Sequence, residues 1–302
     1  MKQRHTDPGQ PLYRNNDHNP LDELLRARLR IPEGADMRLA LLRRTLEGVD
    51  LVNRAAFGKP FFALRETEKI LVDLGGRTGH ELLSTLLEMN GGTRIRSHGL
   101  ENVPAQGPVV IGSTHPIGTF DFVAHAGALL EHRPDLKVVA GREAERFLGR
   151  ELIIAVDLDR NDRVMTARQT RAGMLAHLKD GGALLVFGSG RVPRMENGLL
   201  VEPPWRTGVT RTSAETGAPI IPASTDMRNS HHYYRTRRLA ALVSGGNDEF
   251  GRRVASLRYV SELIAKLGGT YDVHYGPMVP AGTAPLALKA LAEGLVPGLY
   301  RI

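Results

Sequence analysis

Apolar and polar positions change rhythm twice along the chain. Residues 1–20 are polar, with Pro, Asn and Gly scattered among them, and read as a flexible arm. From residue 21 apolar residues recur at helical spacing. A short helix over 21–31 is stopped by Pro32. A longer one over 37–57 carries Leu39, Leu42, Leu46, Val49 and Val52, three or four positions apart. A third, over 63–89, is broken at Gly75-Gly76. Beyond Gly91-Gly92, short β-type runs alternate with helical stretches. The pattern predicts strands at 93–98, 109–112, 137–140, 152–156, 183–187, 220–224 and 271–275. Helices are expected at 120–131, 143–148, 166–179, 207–216, 250–267 and 285–300. Such alternation implies an α/β fold, a mostly parallel central sheet flanked by helices, preceded by an N-terminal helical segment. The expected parts are the arm 1–20, the helical segment 21–90 and the α/β domain 91–302. Pro222, inside its strand, implies an edge position or a bulge.

Composition narrows the chemistry. The chain has no cysteine, which excludes disulfides, thiolate metal sites and a Cys nucleophile. Formal net charge is +7, carried by the outer thirds, since residues 101–200 balance to zero. A basic excess favours anionic partners: a membrane surface, phosphorylated compounds or nucleic acid. Aromatic residues make up only 5%, too few for base-stacking platforms, and no nucleic acid is expected. No apolar run approaches the roughly 20 residues that a membrane helix needs. The first twenty residues lack the apolar stretch of a signal peptide. The expected location is therefore cytoplasmic, peripheral on the inner membrane face. Arg38, Arg43, Arg44 and Arg54 lie mostly off the apolar stripe of the 37–57 helix, which reads either as packed on its own domain or as a basic amphipathic helix on a membrane. Tyr233, Tyr234, Arg235, Arg237 and Arg238 form a second basic stretch, which reads as a docking segment for anionic lipid or an acidic carrier protein, or as a solvated loop.

Two strand ends could carry chemistry. Residues 108–121, PVVIGSTHPIGTFD, run from a buried strand into a small-residue turn and His115, with Asp121 six positions on at a helix start. Carboxyl ends of strands are where α/β sheets place ligands. Gly118 and Thr119 let the chain fold back, so that Asp121 reaches the imidazole, fixes its tautomer and leaves the other nitrogen to take a proton. Residues 183–194, ALLVFGSGRVPR, end a strand in Gly188, Ser189 and Gly190, followed by Arg191 and Arg194. Clustered N–H groups beside cations suit a phosphate or a developing oxyanion, although a plain surface turn has the same appearance. No Gly-Lys-Ser/Thr follows, and the run is neither a dinucleotide fingerprint nor a nucleophile elbow. His231 and His232 are adjacent and point apart, so no metal site is expected.

The order of motifs resembles that of a known family. A strand ending in His-Pro-x-Gly-x-x-Asp, a later strand ending in Phe-x-x-Gly, then Pro-Trp-Arg-x-Gly and Gly-Ala-Pro-Ile-Ile-Pro resemble the glycerolipid (lysophosphatidic-acid type) acyltransferase superfamily, and its hemolysin-like branch most. The likeness spans roughly residues 95–230. It implies transfer of a fatty acyl group from an acyl thioester, on coenzyme A or acyl-carrier protein, to a hydroxyl or amine. The family's general base falls on His115, and the aspartate that orients it on Asp121. The arginine of the second block falls on Arg160. The third block falls on Gly188, Ser189, Gly190 and Arg191, expected to hold the oxyanion or the acceptor. No cofactor or metal is implied, because a thioester is already activated. The third block departs from the usual Phe-Pro-Glu-Gly-Thr-Arg, or Phe-Pro-x-Gly-Glu in this branch. Gly188 replaces the proline, Ser189 takes the glutamate position of the first pattern, and Arg191 stands where the branch has glutamate. These departures weigh against glycerol 3-phosphate and leave a lyso-ornithine-type lipid, another lysolipid, or a small alcohol or amine. Two other readings stay open: a thioester hydrolase or soluble tailoring acyltransferase with a small-molecule acceptor, and a non-catalytic lipid- or nucleic-acid-binding protein on the same fold.

Overall fold

The computed structural model describes residues 19–29, 31–156 and 163–301. The expected arm and Arg160 therefore fall almost wholly outside the described residues. The chain separates into two compact units, Met1–Thr78 and Gly79–Ile302.

Among the described residues the first unit holds three helices, α1 (Pro20–Leu29), α2 (Asp36–Phe57) and α3 (Leu64–Asp73). Leu21, Leu24, Leu25, Leu39, Leu46 and Leu64 are buried among them. Arg43 ties the three together through Asp22, Glu47 and Glu68. Asp50, buried on α2, accepts hydrogen bonds from the backbone N–H groups of Phe62 and Leu64, and so fixes where α3 begins. The predicted stripe of α2 is only half buried. Leu39 and Leu46 face inward, while Val49 and Val52 are exposed together with Met37, Leu41, Leu51 and Phe57.

In the second unit, α4 (Gly79–Glu88) precedes a seven-stranded sheet. Its strands are β1 (Arg94–His98), β2 (Val109–Ser113), β3 (Lys137–Gly141), β4 (Ile153–Val156), β5 (Ala183–Phe187), β8 (Ile220–Thr225) and β9 (Thr270–Tyr275). Between β5 and β8, a two-stranded hairpin joins β6 (Arg194–Glu196) to β7 (Leu199–Val201). The sheet order is β1-β9-β8-β2-β5-β3-β4. Every pairing in it is parallel except β8 with β9. Every residue of the central strands β2, β5 and β8 is buried, as expected of strands covered on both faces. The covering helices are α5 (Thr119–Leu129), α6 (Glu145–Leu152), α7 (Arg163–Lys179), α8 (Thr207–Thr216), α9 (His231–Val243), α10 (Asp248–Ser256), α11 (Tyr259–Ile264) and α12 (Pro285–Gly294). One face packs Val110, Leu184 and Ile220 against Met174 and Leu178 of α7, Val209 of α8 and Leu288 of α12. The opposite face meets α5, where Ser113 touches His125.

Three expectations need correction. Pro222 lies in a central strand, so the edge reading falls and the bulge reading stands: between the Ile220–Val279 bridge and the Ala223–Tyr275 pair the β9 side carries one residue more. Its carbonyl accepts from Gly276 on the β9 side, and its missing N–H falls where that ladder breaks between Tyr275 and the isolated Ile220–Val279 bridge. The stretch around Tyr233 is not a solvated loop but helix α9. Tyr233, Tyr234 and Arg237 are buried, and Arg237 donates to the carbonyls of Val192 and Pro193 and pairs with Asp248. Finally, the helix expected at 250–267 is two short ones, α10 and α11.

Candidate active site

The buried strand β2 delivers the chain to a turn at the centre of the sheet's carboxyl end. Gly118 caps α5 at φ +102°, a backbone conformation that favours glycine. Asp121 occupies the first turn of α5, fully buried, near the positive end of the helix dipole. Its Oδ2 accepts the N–H groups of Ile117 and Gly118, each at 2.9 Å. Its Oδ1 accepts from Thr225 Oγ1 of β8 at 3.4 Å. Asn229 donates to the carbonyls of Pro116 and Ile117 and fastens the turn from the far side.

His115 and Asp121 are brought together. Nδ1 of His115 lies 3.0 Å from Asp121 Oδ2, off the axis of a linear hydrogen bond, so the contact is a close pairing short of ideal alignment. Such contacts commonly tighten when substrate binds. The imidazole is 18% exposed while the carboxylate is sealed, so the ring reaches solvent and the carboxylate stays dry. Phe187, the last residue of β5, stacks on His115 with ring centres 4.2 Å apart.

A second histidine lies beneath. His125 on α5 is fully buried, and burial pushes its imidazole down to about 4. Its Nε2 lies 2.9 Å from Ser113 Oγ, and its Nδ1 lies 3.1 Å from the Tyr275 hydroxyl. Ser113 Oγ donates to the carbonyl of Thr114. One proton arrangement satisfies every atom. Tyr275 O–H donates to Nδ1, Nε2–H donates to Ser113, and Ser113 donates to the backbone just before His115.

The 187–191 loop borders the same site. Gly188 N–H donates to Ser113 O, and Gly190 N–H donates to Phe187 O. Of the amides in the run expected to hold an oxyanion or the acceptor, those of Gly188 and Gly190 are thus committed to the fold. Gly188 lies flat on the Trp205 indole, where an added Cβ would stand 1.9 Å from a ring carbon. Ser189 is buried against Glu202, and Arg191 is exposed at the loop's outer end. Arg206, also exposed, is tied to the loop by its N–H on Gly188 O. Glu202 is a buried carboxyl that the sequence did not single out. Burial pushes it up to about 8, and hydrogen bonds from Ser189 and Trp205 offset part of the rise. A cavity of about 410 Å³ lies elsewhere, between α7 and the β3–β4 edge, lined by Lys137, Arg142, Thr170 and His177 among others; His115 and Asp121 are not among its walls.

Residues 94–226 match the family model described as Acyltransferase. Those residues are under half of the chain, and over them it is similar to the acyltransferase family. The chain is similar to a lyso-glycine lipid O-acyltransferase of Phocaeicola vulgatus, 22% identical over 221 residues, covering 71% of this chain and 74% of that one. A lyso-glycine lipid O-acyltransferase of Bacteroides thetaiotaomicron is 23% identical over 195 residues, covering 62% of this chain and 66% of that one. Among solved structures, the 1-acyl-sn-glycerophosphate (LPA) acyltransferase PlsC of Thermotoga maritima matches at 15% identity with a TM-score of 0.40, covering 67% of this chain and 71% of that one. Of the candidate site residues, His115 and Asp121 are legible from their spacing after a strand. His125, four residues past Asp121 on α5, carries no signal of its own, and Asn229, Thr225 and Glu202 come from distant segments that only the fold brings near.

Proposed function

We propose that the protein transfers a fatty acyl group from a coenzyme A or acyl-carrier-protein thioester to the hydroxyl of a lysolipid acceptor. The observation that carries this reading is the pairing of partly exposed His115 with sealed Asp121, 3.0 Å apart at the carboxyl end of β2. The acceptor O–H approaches His115 Nε2, and Asp121 steadies Nδ1–H. As the oxygen attacks the thioester carbonyl, its proton passes to Nε2. Collapse of the tetrahedral intermediate breaks the C–S bond, and the imidazolium returns the proton to the leaving thiolate. A hydroxyl rather than an amine is favoured because the curated relatives are named O-acyltransferases. Arg191 and Arg206 stand at the outer end of the loop, where a lysolipid's anionic head group would find complementary charge. On α2, exposed Met37, Leu41 and Val52 accompany exposed Arg38 and Arg44, a combination suited to an anionic lipid surface.

The test is a radiolabelled acyl-transfer assay with acyl-coenzyme A and acyl-carrier protein as donors, across lyso-glycine, lyso-ornithine and lysophosphatidic acceptors. His115→Ala is expected to lower turnover by about 10²–10⁴-fold. Asp121→Asn is expected to lower it strongly while the far-UV circular dichroism stays native. A His115→Ala enzyme with near-normal transfer overturns the assignment. Thiol release that needs no acceptor makes the protein a hydrolase instead, and vesicle binding without turnover on any acceptor makes it a lipid binder.

A further inference from the structure

Glu202 follows β7, outside both motif blocks around His115, yet its carboxyl reaches under the loop that touches the catalytic imidazole. It is 4% exposed. Oε1 lies 2.8 Å from Ser189 Oγ and 3.2 Å from Trp205 Nε1, and Oε2 has no hydrogen-bond partner among the described residues. Ser189 Oγ in turn lies 3.0 Å from the carbonyl of Arg191 and accepts the Arg191 N–H at 3.2 Å. Trp205 is the flat surface on which Gly188 rests. Both ends of the loop therefore meet at one carboxyl, through Ser189 at the top and the indole beneath Gly188.

We propose that Glu202 is a positioning residue for acyl transfer: through Ser189 Oγ and Trp205 Nε1 it fixes the 187–191 loop, and with it Phe187, against His115. This rests on the acyltransferase reading given above.

Proton counting sets its working state. The Ser189 hydroxyl has one proton and two acceptors within reach, the Arg191 carbonyl and Glu202 Oε1. A protonated Glu202 resolves the conflict. It donates to Ser189, and Ser189 donates to Arg191, closing the loop. An ionised Glu202 claims the serine proton for itself and leaves the Arg191 carbonyl without its partner. Burial favours the neutral form and sets the titration near 8. Glu293, which faces Glu202 from α12, adds to that preference, and Lys289, which pairs with Glu293, opposes it. Tyr300 of the C-terminal segment also faces Glu202, but its burial holds it well above its ordinary range, so it stays neutral through this window. The loop is thus closed at neutral pH and loosens on the alkaline side.

The chain's single tryptophan reports the event directly, because its indole N–H donates to the titrating oxygen. In the full-length protein without substrate, Trp205 emission followed from pH 6 to 10 is expected to show one transition near pH 8. The transition is absent from Glu202→Gln. Acyl transfer by the wild type falls above the same pH, mainly in kcat. Glu202→Ala loses tenfold or more at pH 7, and the conservative Glu202→Gln recovers most of that loss and has no alkaline limb. Ser189→Ala, a second variant independent of the first, keeps the fluorescence transition but loses the alkaline limb, because the link to the loop is cut. An emission profile without the transition, or one that persists in Glu202→Gln, overturns the proposal. So does an alkaline limb unchanged in Glu202→Gln or Ser189→Ala. If no acceptor supports turnover, the acyltransferase reading fails on its own, while the emission titration still decides whether Glu202 holds the loop.

Discussion

His125 shows how a single residue sets the conditions under which the fold survives. Folded, it takes a proton only near pH 4, whereas an unfolded chain's histidine takes one near 6.5. Between those values the unfolded state binds more protons, so stability falls as pH falls from about 6.5 through 4. The slope this group adds is at most about 1.4 kcal/mol per pH unit. The cost is physical: a proton on Nδ1 reverses the bond from Tyr275, and the imidazolium stands sealed from water near His115. Urea denaturation at several pH values is expected to show His125→Gln less stable than wild type at pH 7, but with a flatter decline between pH 6.5 and 4. Parallel curves for the two proteins would mean that the buried imidazole is not what the acid limb reports.

Elements were legible where their signal was local, and obscure where tertiary contacts decided. The β2–α5 unit was readable because an apolar run, a small-residue turn and a carboxylate six residues past His115 are all written in one stretch. Helix α8 was readable because Gly217 ends it at φ +71°. The β6–β7 hairpin was overlooked although Asn197 and Gly198, both at positive φ, are the standard signal for a two-residue turn. Helix α9 was obscured because its basic residues suggested solvent, whereas Arg237 is internal and capped by backbone carbonyls. The third motif block was the hardest to read. Gly188 has no room for a side chain, because Trp205, seventeen positions later, occupies the space a Cβ would fill. Gly188→Ala forces its Cβ into the indole, and overpacking of this kind costs about 1–3 kcal/mol. The variant should unfold at lower urea and shift Trp205 emission to the red, and unchanged stability with native emission would show that the loop yields freely.

At the scale of the whole molecule, charge and exposed apolar surface point to one kind of environment. Among the described residues, no helix is long and apolar enough to cross a membrane. Yet Met37 and Leu41 on α2 are 88% and 68% exposed, and Val52 is 69% exposed. At about 100° per residue these three positions fall on one face, opposite the buried Leu39 and Leu46. The chain's net charge of +7 adds long-range attraction to anionic lipid, but attraction of that kind fades once salt shortens the screening length to a few ångströms. The two contributions are therefore separable. Binding to vesicles containing anionic lipid should weaken strongly between 0.05 and about 0.5 M salt, since each basic residue near the surface contributes about 1 kcal/mol. Leu41→Asp with Val52→Asp removes the apolar contribution, and co-sedimentation should drop tenfold or more at low salt. Turnover on a short-chain acceptor dissolved in water should stay within twofold, because neither residue takes part in proton transfer. Vesicle binding indifferent to both the double variant and salt would place the membrane contact on another surface and leave the α2 stripe without that role.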